Sequence, residues 1–198
     1  MLLCMEENRM DAFLVSKGEN IRYLSGFTGG EDGRLLLTPH HRYIFTDSRY
    51  FEQVKRECPD WELVETRPPG IEELQKVTSM MNRIGVEGHV ISYSSYRQLE
   101  QSLPEKLVPL TNVVEKLRQV KDERELQMIR EAARIGDEVF SELCRHKIVP
   151  GVSERELASQ IVYLLRNKGC DNEAFSTIAL AGENAALPHG HPGEHRLR

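Results

Sequence analysis

Residues 1–112 contain short apolar runs that alternate with amphipathic segments. Such runs, rich in Leu, Ile, Val and aromatic side chains, are typical of β-strands. The predicted strands are Ala12–Val15, Leu35–Leu37, Arg42–Thr46, Trp61–Val64, Arg83–Val86 and Lys106–Val108. Only a short segment that contains Pro39 separates the second run from the third, and this spacing predicts a β-hairpin.

Between these runs the apolar positions change to the period of a helix. The predicted helices are residues 48–56, 71–81 and 92–103, and Asp47 or Ser48 is the expected cap of the first one. Strands that alternate with helices favour an α/β fold with a mixed sheet and flanking helices. This first domain is predicted to end near Asn112.

Residues 122–169 have a different pattern, in which long helical periods replace the short runs. A capping-box pair, Asp122 with Glu125, predicts the start of the first helix, and Pro150 and Gly151 predict its end. A second pair, Ser153 with Glu156, predicts the start of the next helix, and Gly169 is its predicted C-terminal cap. The predicted apolar stripes are Leu126, Ile129, Ala133, Gly136, Phe140 and Leu143 on the first helix, and Leu157, Ile161, Leu164 and Leu165 on the second. Residues 113–120 are predicted to contain the domain boundary.

Composition excludes several classes of function. The 198-residue chain has a net charge of −5, and its basic residues alternate with Glu. Because phosphate binding needs a concentrated basic face, no nucleic-acid partner is expected. No apolar run approaches the roughly 18 residues of a membrane span, and no membrane association is expected. The four cysteines form no C-x-x-C pair and follow no secretory signal, which predicts reduced thiols and a cytoplasmic location.

The segment 174–190 carries the candidate chemistry, because it places His189 on a turn between Pro188 and Gly190 after an apolar run. Taken alone, the residue type favours an ordinary surface histidine. His189, His191 and His195 have a spacing that could bind a metal ion, but a polar loop is the favoured interpretation. Phe175 is expected either to pack in the core or to line a pocket.

The turn at Gly182–Asn184 is expected to shape the wall of the substrate pocket rather than to hold a phosphate. It lacks both the GxGxxG pattern and a Lys-Ser/Thr pair after the glycines.

Three groups of segments resemble one family. They are Met10–Ser16, Asn20–Gly29 and Thr46–Tyr50; then Leu117–Leu126 and Ile129–Ala132; then Pro150–Leu157, Phe175–Ile178 and Pro188–Gly190. Together, in this order and spacing, they resemble the Xaa-Pro peptidase family, which includes aminopeptidase P and prolidase. These are pita-bread metallopeptidases with a creatinase-type N-terminal domain.

The resemblance implies a creatinase-like N-terminal domain over residues 1–112. Residues 113–198 are then the first, incomplete half of a pita-bread α+β catalytic domain. It also implies that His189 is the catalytic histidine on the substrate side, where its N–H stabilises developing charge. Phe175 and His189 are the implied substrate-binding residues. The loop Gly26–Gly30 is expected near the dimer interface and the mouth of the cleft.

In the full-length family, two divalent metal ions (Mn, Co or Zn) are held by two Asp, one His and two Glu. All five lie C-terminal to the segment that matches Pro188–Gly190. No residue of this chain therefore inherits a role as a metal ligand. The chain by itself is expected to bind no metal and to be inactive.

The function implied for the parent protein is metal-dependent hydrolysis of Xaa-Pro peptide bonds, with a proline-containing peptide as substrate. Two alternatives stay open. One is a non-catalytic module of the same fold for peptide binding or dimerisation, and the other is a creatinase-type amidinohydrolase. A homodimer formed through the N-terminal domain is the expected assembly.

Overall fold

Six strands form one mixed sheet in the first part of the protein. A computed structural model provides the structure, and it describes residues 2–67 and 70–198. The strands are β1 Ala12–Val15, β2 Arg34–Leu37, β3 Arg42–Thr46, β4 Glu62–Glu65, β5 Ile84–Glu87 and β6 Leu107–Leu110. They lie in the order β4-β3-β2-β1-β5-β6. The pairs β1–β2 and β2–β3 are antiparallel and the other three pairs are parallel. The predicted mixed sheet and the predicted hairpin are confirmed.

Eight α-helices are seen in the described residues. They are α1 Leu2–Glu7, α2 Gly18–Ser25, α3 Phe51–Glu57, α4 Ile71–Val77, α5 Tyr93–Ser102, α6 Val113–Gln119, α7 Glu123–His146 and α8 Glu154–Asn167. Short 3-10 helices occupy Gly30–Asp32 and Gly182–Ala186. Within these described ranges, no helix combines the length and the apolar composition that crossing a membrane requires.

The sheet is covered on both faces, and β1 shows this most directly. Phe13 and Val15 belong to one apolar core, while Ala12 and Leu14 belong to another. All four are at most 1% exposed, because alternate side chains of a strand point to opposite faces and both faces are packed. A central strand of this kind produces a continuous apolar run in the sequence. The first core receives residues from α1, α2, α3 and α6, and the second receives residues from α4 and α5.

Helix α6 occupies most of the segment in which the domain boundary is predicted. Val114 is fully buried in the first core, so α6 packs with the sheet. By its internal contacts the chain divides into two units, Met1–Val120 and Lys121–Arg198. α6 therefore lies in the first unit, while the sequence-based division after residue 112 places the same segment in the second domain.

The second unit is built on the pair α7 and α8, and the stripe predicted on α7 is wrong except at Leu143, which is buried as expected. Ile135, Val139 and Leu143 are the buried residues of α7. Of the predicted stripe, Ile129 is 52% exposed and Phe140 is 65% exposed. α7 has two apolar faces, and periodicity alone does not show which one packs on α8. The stripe predicted on α8 is confirmed, because all four of its residues contribute to the core shared with α7.

Phe27 gives the glycine-rich loop after α2 a structural role. Its ring is fully buried, and it meets the Tyr50 ring edge-on with centroids 5.7 Å apart. Gly26 adopts a φ of +81°, which favours glycine. Gly29, in contrast, has an ordinary φ of −74°. A Cβ atom at Gly29 would overlap the Phe27 ring, so this glycine is required for close packing rather than for backbone freedom.

Candidate functional site

The candidate site is assembled around the N-terminus of α8. Ser153 Oγ accepts a hydrogen bond from the Glu156 amide at 3.2 Å, and Glu156 Oε2 accepts one from the Ser153 amide at 2.8 Å. This is the predicted capping box, and it is confirmed. It satisfies two backbone N–H groups that the helix itself cannot pair.

Residues 193–197 return along the chain that leads into α8. The backbone hydrogen bonds that join them run from the Gly151 amide to the Leu197 carbonyl, from Leu197 to Val152, from Glu154 to His195 and from Arg155 to Gly193. The last two involve amides of the first turn of α8, which have no partner within the helix. The returning segment therefore completes the cap and becomes fixed to the helix N-terminus.

Glu154 lies at the centre of this arrangement, and its side chain is fully buried. Its Oε1 accepts hydrogen bonds from the Ala181 amide at 2.9 Å and from Asn184 Nδ2 at 3.0 Å. Its Oε2 accepts one from the Gly193 amide at 3.0 Å. The backbone amides of Ala181 and Gly193, which bond only the ionised form well, lower the pKa of Glu154 despite its burial.

His189 lies on the loop between these anchored segments. The Gly190 amide donates to the Leu187 carbonyl at 3.2 Å, which closes a turn around the histidine. A Cβ at Gly190 would lie 2.7 Å from Leu180 Cδ1, so a glycine here lets the turn pack against Leu180. The His189 side chain is exposed, and within the described chain its imidazole forms no hydrogen bond.

Phe175 lies on the segment that follows α8, and its side chain is 74% exposed. The expectation that it packs in the core is wrong, because its ring lies at the surface. A surface cavity of about 530 Å³ lies beside residues 148–150, 181–183 and 195–198. The Gly182 turn forms part of its wall, but neither Phe175 nor His189 lines this cavity, so the expected role of the turn in a substrate pocket stays a prediction.

A second buried carboxylate lies at the sheet, in the first unit. Glu87 ends β5 and is 2% exposed. It accepts hydrogen bonds from the amides of Ser16 and Lys17 at 2.6 and 2.9 Å, and from Asn20 Nδ2 at 2.6 Å. These residues follow β1, the parallel neighbour of β5, so Glu87 fixes the carboxyl ends of these two adjacent strands together.

Glu115 of α6 extends this network. Its Oε1 accepts hydrogen bonds from Asn20 Nδ2 at 2.9 Å, and it contacts His89 Nε2 at 3.2 Å and Lys17 Nζ at 3.3 Å. Partial burial would raise the pKa of Glu115. The hydrogen bonds from Asn20, from its own backbone, from His89 and from Lys17 outweigh that effect and lower the pKa to about 2. α6 is thereby tied to the end of the sheet by a charged side chain as well as by Val114.

Comparison with known proteins assigns the chain to a family. Residues 3–120 match the creatinase/prolidase N-terminal domain. The chain belongs to this family. Residues 127–198 match metallopeptidase family M24. The order of the two matches is the order of the resemblance found in the sequence.

Solved structures and curated relatives agree with this assignment. The creatinase/prolidase chain is similar to the Xaa-Pro dipeptidase from Bacillus anthracis, with a TM-score of 0.90 and 30% identity over 98% of this chain and 55% of that one. It is similar to the X-Pro aminopeptidase from Thermotoga maritima, with a TM-score of 0.86 and 31% identity over 98% of this chain and 56% of that one. The uncharacterized peptidase YqhT of Bacillus subtilis is 30% identical over 184 residues, which cover 91% of this chain and 52% of that relative. The chain thus spans about half the length of the curated relatives it matches.

Metallopeptidase family M24 implies a metal, and the described residues of this creatinase/prolidase chain do not fit one. Across residues 2–67 and 70–198, no group of three His, Cys, Asp or Glu side chains is placed to hold an ion. The Glu154 carboxylate is also engaged by three N–H donors. No catalytic step is therefore assigned to a metal on these residues.

Glu154 is the site residue that sequence reasoning missed. The Ser153–Glu156 spacing marks the start of α8, but an acidic residue in a first helical turn is ordinarily a solvent-exposed partner of the helix dipole. Only the return of residues 181–193 to the helix N-terminus buries this carboxylate. The sequence holds no local signal for that contact.

Proposed function

We propose that the full-length form of this protein hydrolyses Xaa-Pro peptide bonds in a metal-dependent reaction. The observation that carries the proposal is the similarity of nearly the whole chain to the Xaa-Pro dipeptidase structure. Proline supplies no amide hydrogen and has a fixed φ, so its peptides need a dedicated cleft. The ligands of the two divalent ions are proposed to come from residues C-terminal to the turn at His189.

His189 is proposed as the catalytic histidine on the substrate side. Its imidazole is exposed and unpaired among the described residues, so it can donate a hydrogen bond to a carbonyl oxygen that gains negative charge. Phe175 is proposed as a substrate-binding residue, because its exposed ring offers an apolar surface on which a proline ring can be desolvated.

The proposed activity is tested by comparing two proteins on the same peptides. The full-length form and the 198-residue chain are each incubated with Mn²⁺, Co²⁺ or Zn²⁺ and with matched Xaa-Pro and Xaa-Ala dipeptides and tripeptides. We expect the full-length form to hydrolyse only the proline peptides and to lose that activity when the metal is chelated. We expect the 198-residue chain to hydrolyse neither.

Three results would contradict the proposal. A folded, metal-loaded full-length protein that binds proline peptides without hydrolysing them would be a non-catalytic module. Metal-dependent turnover by the 198-residue chain would show that the ligands lie within it. Hydrolysis of creatine, with no activity on peptides, would favour the amidinohydrolase alternative.

The proposed assembly is a homodimer that forms through the N-terminal domain, and the family resemblance supports it. Sedimentation velocity at several protein concentrations measures the assembly directly. A monomer at micromolar concentrations would contradict it, and residues 1–120 expressed alone should dimerise as the longer protein does.

A further inference from the structure

Glu154 connects two stretches of chain that lie on opposite sides of His189 in the sequence. Ala181 and Asn184 precede the histidine, and Gly193 follows it. One carboxylate therefore holds both ends of the loop 185–192. Within that loop, the Leu187 amide donates to the Asn184 carbonyl at 3.0 Å, so the anchored end leads directly into the turn that carries the histidine.

The carboxylate itself is held firmly. The capping box of Ser153 and Glu156 occupies the first turn of α8 on one side. On the other side, the Glu154 and Arg155 amides donate to the carbonyls of His195 and Gly193, each at 3.0 Å. A side chain on a capped helix has little freedom to move, so the position of Glu154 sets the position of the loop rather than following it.

Both terminal oxygens of residue 154 must be hydrogen-bond acceptors, because each of them faces at least one N–H donor. An ionised Glu has no hydrogen to donate, whereas a Gln presents an NH₂ group on one side of its amide. Two donors face Oε1 and one faces Oε2. A Gln at this position would keep its oxygen towards Ala181 and Asn184, and it would turn its NH₂ towards the Gly193 amide.

We propose that Glu154 is a positioning residue, which holds both ends of the loop 185–192 so that the His189 imidazole is presented in one place to the substrate. This proposal rests on the proposed function for its substrate. The clamp, by which we mean the three hydrogen bonds that Glu154 accepts from Ala181, Asn184 and Gly193, is a property of the 198-residue chain. The two can therefore be tested separately.

Hydrogen exchange measured by NMR on the 198-residue chain tests the clamp. In Glu154→Gln we expect the Gly193 amide to exchange about 10-fold faster or more, because it loses a charged acceptor. The Ala181 amide and the Leu164 amide in the core of α8 should change little. Glu183→Gln, which makes the same charge change at an exposed position of the neighbouring turn, should leave all three amides unchanged.

Asn184→Ala is a milder second variant, which removes one donor and keeps the carboxylate. We expect it to accelerate exchange at Ala181 and to leave Gly193 protected. Unchanged exchange at both amides in both variants would overturn the proposal. So would an equal acceleration at Leu164, since the residue would then act on the whole unit and not on the loop.

A double-mutant cycle in the full-length protein tests whether Glu154 acts through His189. Glu154→Gln should lower kcat about 10-fold or more with little change in KM, because a displaced group loses its alignment with the reacting atoms. In the His189→Ala background the same substitution should cause no further loss. Additive losses would overturn the positioning role. If the full-length protein hydrolyses no peptide, the proposed function fails, while the exchange measurements still decide the clamp.

Discussion

Glu87 and Glu154 share one arrangement, although they lie in different units. Each carboxylate is almost fully buried and accepts three hydrogen bonds from N–H groups. In each case two of the donors are backbone amides distant in sequence, from one segment at Glu87 and from two separate segments at Glu154. A buried carboxylate is stable only when such donors replace its water, so these residues fix loops that apolar packing alone would leave unspecified.

Glu115 should make the stability of the first unit depend on pH. Its pKa falls from an ordinary value of 4.5 to about 2 in the folded protein. A carboxyl whose folded pKa is depressed stabilises the protein fully above its unfolded pKa, and it loses that contribution as the pH falls through the folded value. The full shift corresponds to roughly 3 kcal/mol, and solvent screening at this partly exposed carboxylate makes the contribution at neutral pH smaller than that. It should disappear between about pH 4.5 and pH 2.

Urea denaturation of Glu115→Gln across that pH range measures the effect. The variant should be less stable than the wild type at pH 7, and the two free energies of unfolding should converge towards pH 2. Glu19→Gln, an exposed change on α2 beside the same network, should follow the wild type. Parallel curves for Glu115→Gln and the wild type would show that the network does not stabilise the ionised form.

His189→Ala in the full-length protein should lower kcat on an Xaa-Pro peptide by about 10²-fold or more. The reason is that a hydrogen-bond donor to developing negative charge stabilises mainly the transition state. KM and the melting temperature should change little, since the side chain is exposed. His191→Ala, two residues further along the same exposed loop, is the control and should retain its activity. Equal kcat values for the two variants would remove His189 from the catalytic role.

At the level of single elements, the start of α7 is determined by hydrogen bonds between residues close in sequence. Asp122 accepts a hydrogen bond from the Glu125 amide at 2.8 Å, and Glu125 Oε2 accepts one from the Asp122 amide at 2.9 Å. Every group in this cap lies within four consecutive residues. The start of the helix could therefore be predicted without any knowledge of the fold.

Asp122→Ala should destabilise the second unit by about 1 kcal/mol, since it removes the cap and a favourable charge at the helix N-terminus. Asp137→Ala makes the same chemical change at an exposed position inside α7. It should be neutral or slightly stabilising, because Ala has the higher helix propensity. Guanidinium denaturation followed by circular dichroism measures both variants. An equal loss of stability in the two would argue against a specific cap.

At the scale of the whole molecule, the two units have cores of unequal size. The first has two cores that together cover both faces of a six-stranded sheet. The second depends on one core around Ile135, Val139, Leu143 and Leu164. Less apolar surface is buried per residue there, and several large side chains of the same unit are exposed, among them Met128 and Tyr163.

Hydrogen exchange measured as a function of denaturant should therefore reveal two opening free energies. Amides of β1 and β5 should open only with the larger one, and amides of α7 and α8 with the smaller one, because opening follows the buried contacts of each unit. Residues 1–120 expressed alone should keep the protection of β1 and β5. A single opening free energy shared by all four elements would show that the units unfold together.

Features whose cause lies within a few residues could be predicted from the sequence alone. The six strands follow from short apolar runs, the hairpin from the short segment between two of those runs, and both capping boxes from a carboxylate or hydroxyl three residues from its partner. The order of the family motifs likewise needs only the chain. The sequence also singled out His189, whose role as a catalytic residue stays a prediction.

Three features depend on long-range packing: which apolar face of α7 is buried, where α6 packs, and the complete burial of Glu154. Each outcome depends on partners far along the chain. α8 packs against Ile135 and not against Ile129, and Val114 packs in the core beside the sheet. Residues between 181 and 193 bury Glu154. Periodicity shows that a helix face is apolar, and a capping pattern shows where a helix begins. Neither pattern predicts which distant segment buries a side chain, because that depends on the free energy of the complete packing.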